Sequence, residues 1–105
     1  MKNFIAFRFC DNDFHHALRQ SVEFLVENVD FEERDSEQLR KDVAMATNAF
    51  SILNDVEYGR EHTDHQNYIF DKLSVLTVDK LLDLENNGEG YVVNTHTLEV
   101  SYYGY

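Results

Sequence analysis

From Asn3 to Cys10 apolar residues run almost unbroken, with Ile5, Phe7 and Phe9 alternating against Phe4, Ala6 and Arg8. A Phe- and Ile-rich run of this kind predicts a strand, and apolar residues on both faces place it inside a sheet rather than at an edge. Asp11, Asn12 and Asp13 then supply the oxygens and the negative charge that favour a helix start. The period becomes helical from Phe14. Phe14, Ala17, Leu18, Val22, Leu25 and Val29 recur at three and four residues, the single stripe of a core-facing helix.

Asp35, followed three residues later by Gln38, has the form of a capping box and opens a second helix. Leu39, Val43, Ala46, Phe50 and Leu53 are expected inward, with Arg40, Lys41 and Asp42 outward. Gly59 is placed to end that helix. The same pattern at Thr63 and Gln66 starts a third helix, whose stripe is Ile69, Leu73 and Leu76 beside Tyr68 and Phe70. Thr77 re-caps a short fourth helix through Leu81, Leu82 and Leu84, closed by Asn87 and Gly88. After Gly90 the period returns to two. Tyr91–Val93 and Leu98–Tyr103 flank a hairpin loop at Asn94–Thr97.

A two-stranded hairpin is marginal alone, so pairing with the N-terminal strand is expected. The predicted fold is α+β: a small three-stranded antiparallel sheet, made by the N-terminal strand and the C-terminal hairpin, packed against three or four helices. A length of 105 residues suits a single domain with one core, residues 1–105.

Charge sharpens this picture. The formal net charge is −11, yet 43% of the residues are hydrophobic, too many for a disordered acidic tail. The charge must therefore cover a folded surface. It disfavours direct binding to nucleic acid or to an anionic membrane, both of which are bound through Lys and Arg, and it favours basic partners. Its simplest use is solubility.

The acids are unevenly spread. Glu23, Glu27, Asp30, Glu32, Glu33, Asp35 and Glu37 fall within fifteen residues that hold one base, Arg34. Glu23, Glu27 and Asp30 share a helix stripe, where neighbours stand roughly 5–6 Å apart, similar to successive phosphates on a nucleic-acid strand. These seven residues are the expected partner-binding surface, with Asp35 also a helix cap. Such a row suits the groove of a basic, nucleic-acid-binding protein, and binding of that kind weakens with salt.

Other chemistry is sparse. His62, Asp64 and His65 are the candidate metal ligands, but they stand amid polar residues at a helix start, where a solvated turn is the plainer reading. Cys10 has no evident His partner and no serine sits in a nucleophile elbow, so the chain is read as a non-enzyme. The glycines form no phosphate loop, and no cofactor is expected. Tyr91, Tyr102, Tyr103 and Tyr105 give the hairpin an aromatic character that suits an oligomer interface, the alternative reading, as a structural or regulatory subunit. The N-terminus is too short and too soon polar for a signal peptide, so a cytoplasmic location is expected.

Phe14-His15-His16-Ala17, Glu27-Asn28, Arg34-Asp35-Ser36-Glu37-Gln38-Leu39 and Met45-Ala46-Thr47-Asn48-Ala49 occur in the same order as similar words in the acidic DNA-mimic antirestriction proteins of podophages. The resemblance covers about residues 14–50, with gaps. It implies a small phage protein that inhibits a host defence enzyme, such as a restriction or CRISPR effector, inside the host cell. The family is essentially helical and more acidic, with an acidic tail, whereas this chain is expected to begin and end in strands.

Overall fold

Helix α1 (Asn12–Asn28) and helix α2 (Ser36–Glu57) form an antiparallel pair, and the residues that fasten them together are partly polar. The computed structural model describes residues 4–7, 12–30, 34–76 and 90–103. On α1 the stripe expected from the spacing is the buried one: Phe14, Ala17, Leu18, Val22 and Leu25 are buried, and Val29 packs against them half-buried. Ser21 is buried among them. Its hydroxyl donates to the Leu18 carbonyl at 2.8 Å and lies 2.8 Å from the hydroxyl of Thr47 on α2, also fully buried.

The inward face of α2 differs from expectation. Leu39 and Val43 are buried as expected, but the buried face then continues through Ala44, Thr47, Asn48 and Ser51. Ala46 and Phe50 are half-buried, and Leu53 is 62% exposed. Small and hydroxyl-bearing residues let the two helices approach closely, and three of the polar residues there have partners on the facing elements. Thr47 meets Ser21, Asn48 accepts from the His65 backbone N–H, and Asn54 donates to Gln20.

The ends of α2 follow from local chemistry. The Asp35 carboxylate accepts from the Gln38 N–H at 2.8 Å, the expected N-cap. The reciprocal half of the box is missing, because the Gln38 side chain donates to Asp42 instead. At the other end Gly59 has φ +71, with its N–H on the Val56 carbonyl and the Arg60 N–H on the Asp55 carbonyl. These two bonds are the Schellman pattern. Helix α3 (Gln66–Lys72) starts later than expected, with His65 at its cap position and Asp64, not Thr63, accepting from the Gln66 N–H.

The third helix was expected to run to Leu76. Instead α3 ends at Lys72, and Leu73–Leu76 is a strand, β2. Leu73 and Leu76 fit a helical period, but Leu73 and Val75 also fit a strand, and pairing decides the outcome. β2 lies antiparallel to β1 (Phe4–Phe7), with Ile5 opposite Val75. β1 also pairs antiparallel with β3 (Gly90–Asn94), which pairs in turn with β4 (Val100–Tyr103). The sheet order is β2-β1-β3-β4, so β1 is interior, as its sequence implied, and the sheet has one more strand than the hairpin and N-terminal strand alone supply. The fold is α+β. The expected fourth helix, Thr77 to Leu84, lies outside the described residues, as do Cys10 and Tyr105.

The β3–β4 loop is held by Asn94, whose side-chain oxygen accepts from the N–H groups of His96 and Thr97. Leu98 closes it at φ 62, a left-handed conformation that costs a branched residue about 1 kcal/mol or more. Leu98 packs against the core, and its carbonyl accepts from the Arg19 guanidinium, which ties the hairpin to α1. The core joins Phe14, Leu18, Val22 and Leu25 of α1, Val43 and Ala44 of α2, Ile69 of α3, Leu73 of β2 and Val93 of β3.

Candidate functional site

Burying one stripe of α1 obliges its opposite side to face solvent, and that side carries the acids. Glu27 is exposed, Glu23 is half-buried, and Asp30, just past the helix end, is exposed. Among the described residues neither Glu23 nor Glu27 has an ion-pair partner. Their spacing along the helix keeps the carboxylates about one turn apart on a rigid element. Like charges so placed cost a few tenths of a kcal/mol per pair, which the packing of α1 offsets easily.

The acids beyond the helix are differently employed. Asp35 is the N-cap of α2, and Glu37 in the first turn sits 3.5 Å from Arg40. Both are exposed, but each already has a structural partner. Arg34, the lone base of the acidic stretch, pairs with Asp42, which also accepts from Gln38. The elbow between α1 and α2 is thereby fastened to the second turn of α2. Glu32 and Glu33 lie outside the described residues. Of the seven acids read from the sequence, Glu23 and Glu27 share one side of α1, Asp30 lies just past its end, and Asp35 and Glu37 belong to the start of α2.

Arg40, expected outward, is part-buried. Its guanidinium stacks 4.2 Å from the centre of the Phe70 ring and donates to the Phe70 carbonyl, while its Nε is buried without a partner. It acts as a clasp between α2 and α3.

The alternative metal-ligand set is not gathered. His62 is exposed, Asp64 caps the Gln66 N–H, and the His65 ring stands edge-on to Phe14 at 5.4 Å. Among the described residues no three of His, Cys, Asp and Glu come close enough together to hold a metal ion. A shallow cleft of about 210 Å³ beside this loop is lined by Ser51, Asp55, Arg60, Thr63 and His65 among others. Its one acid on α2, Asp55, is engaged by Arg60 at 3.1 Å.

Sequence reasoning missed the exposed apolar side of the helix pair. Phe24, Met45, Leu53 and Val56 are all about half exposed or more. The Phe24 ring meets Phe50 edge-on at 6.2 Å, so the apolar surface runs across both helices. A signal was present: no residue from Val43 to Asn54 is charged. Among the described residues no helix is long and apolar enough to cross a membrane. Compared with known protein families, with curated proteins and with solved structures, the chain matches none.

Proposed function

We propose that the chain acts by binding, presenting the carboxylates of α1 and of the elbow to the basic nucleic-acid groove of another protein. The observation that carries this reading is the position of Glu23 and Glu27 on the side of α1 away from the core, Glu23 half-buried and Glu27 exposed, with exposed Asp30 just past the helix end. A rigid row loses little entropy when it docks, and its long-range attraction speeds encounter with a basic groove. A nucleic-acid-binding defence protein of a host cell, a restriction or CRISPR effector, is the partner class that the resemblance to DNA-mimic proteins suggests. Asp35 and Glu37 contribute charge but keep their structural partners, and Glu32 and Glu33 add two more acids to the same stretch of sequence.

The test is capture from host lysate at low salt, elution with salt, and competition of the eluted protein between this chain and DNA. Mutual exclusion with DNA is expected. The variant Glu23→Lys/Glu27→Lys/Asp30→Lys should keep its helical circular dichroism and lose capture. Unchanged affinity of that variant at low salt overturns the reading. A second reading, an oligomeric subunit joined through the hairpin, draws support from the edge position of β4 in the sheet.

A further inference from the structure

Helix α2 is the longest element of the fold, and its middle, Val43 to Asn54, carries no charge in a chain that is 28% charged. Five of its twelve residues are buried against the rest of the protein, and three are exposed. Lys41, Met45, Ala49, Leu53 and Glu57 follow one another at four-residue spacing, and all five are exposed, Met45 by 56% and Leu53 by 62%. Residues so spaced form one ridge, inclined to the helix axis, and such ridges are what pack together when two helices cross at about −50°.

From the geometry of this ridge we infer that two copies of the chain pair through α2, about a twofold axis at Ala49. The row reads base, large apolar, small, large apolar, acid. Reversed by a twofold it complements itself: Lys41 meets Glu57 of the second copy, Met45 meets Leu53, and Ala49 meets Ala49. The pairing is isologous, so each charge contact occurs twice. Alanine at the crossing point permits the close end of the usual 8–10 Å separation of packed helices. Phe24 and Phe50 on one side and Val56 on the other widen the apolar strip.

The net charge of −11 per chain does not oppose this arrangement at close range. Two acids of α2 itself, Asp42 and Asp55, are already paired within the chain, with Arg34 and Arg60. Exposed charges farther off are screened beyond about 8 Å at physiological ionic strength. A single helix crossing is at the small end of specific interfaces, so the dimer dissociates on dilution.

Sedimentation velocity on the full chain across a dilution series tests this. The wild type is expected to shift from dimer to monomer, and Ala49→Arg, a change at an exposed helical position, to remain monomeric with unchanged circular dichroism. Lys41→Glu and Glu57→Lys should each weaken the dimer about fivefold, because two exposed pairs turn repulsive. Combined in one chain they recreate the pairing with signs exchanged and should restore the affinity. A monomer at every concentration overturns the inference, as does a dimer indifferent to Ala49→Arg. A dimer lost on removing residues 101–105 but kept in Ala49→Arg overturns it in favour of the hairpin. If Ala49→Arg does not fold, the charge exchange decides: losses that add rather than cancel refute the twofold.

Discussion

The buried hydroxyl pair between α1 and α2 offers a sharp test of how the helices are held. A hydroxyl has one proton. Ser21 gives its proton to the Leu18 carbonyl, so the proton in the 2.8 Å contact must come from Thr47. Thr47→Val keeps the shape and removes that donor. Ser21 keeps its Leu18 bond and loses one of two partners, so the cost should be at the low end for a buried polar group, about 1 kcal/mol. Ser21→Ala leaves the Thr47 proton without its acceptor. That hydroxyl can turn back to the carbonyl four residues earlier, at Val43, which again holds the cost to about 1 kcal/mol. Removing both hydroxyls leaves nothing unpaired, and the double variant should return to within about 0.5 kcal/mol of the wild type. Urea unfolding followed by helical circular dichroism measures all four proteins. In thermal melts each single variant should lose roughly 4–8 °C. A double variant that loses the sum of the two singles would refute the reasoning, since the hydroxyls would then act independently.

Three further outcomes follow from the described contacts. Gly59→Ala should cost about 1 kcal/mol, all of it conformational, because a Cβ there meets nothing within 4 Å; Gly59→Asn should cost less in the same melts. Asp35→Ala should cost about 1 kcal/mol by loss of the α2 cap, whereas Asp35→Asn, which also removes the charge, should cost only a few tenths in chemical denaturation. Leu39→Ala should destabilise by about 2–5 kcal/mol while Leu53→Ala stays within about 0.5, a contrast that checks which face of α2 is buried.

That contrast also marks where the sequence could be read and where it could not. On α1 the apolar stripe and the buried stripe coincide, because each buried position but Ser21 is hydrophobic. On α2 hydrophobicity pointed to Ala46, Phe50 and Leu53, and burial went to Thr47, Asn48 and Ser51. Counting apolar residues treats a hydroxyl as outward, and it cannot know that another hydroxyl waits across the helix pair. The switch from α3 to β2 was hidden for a related reason. Leu73 and Leu76 satisfy a helical spacing, and only the distant strand Phe4–Phe7 makes the extended form better. Gly59 and Asp35 were legible because caps act through their own backbone neighbours. The side of α1 that carries Glu23 and Glu27 was legible as the one away from the core, since the apolar stripe claims the other. Charge alone states a preference for a class of surface and no more.

The position of β1 has a consequence for the order in which the protein forms. Ile5 pairs with Val75 on one side and with Val93 on the other, so the strand nearest the start of the chain has partners only in its last third. The α1–α2 pair closes through a short elbow and can assemble early, from nearby residues. The sheet requires nearly the full length of chain to be gathered first, and such long closures are slow. During synthesis the first strand therefore leaves the ribosome long before either neighbour exists, an apolar segment that must be kept from other chains until residues 73–94 arrive.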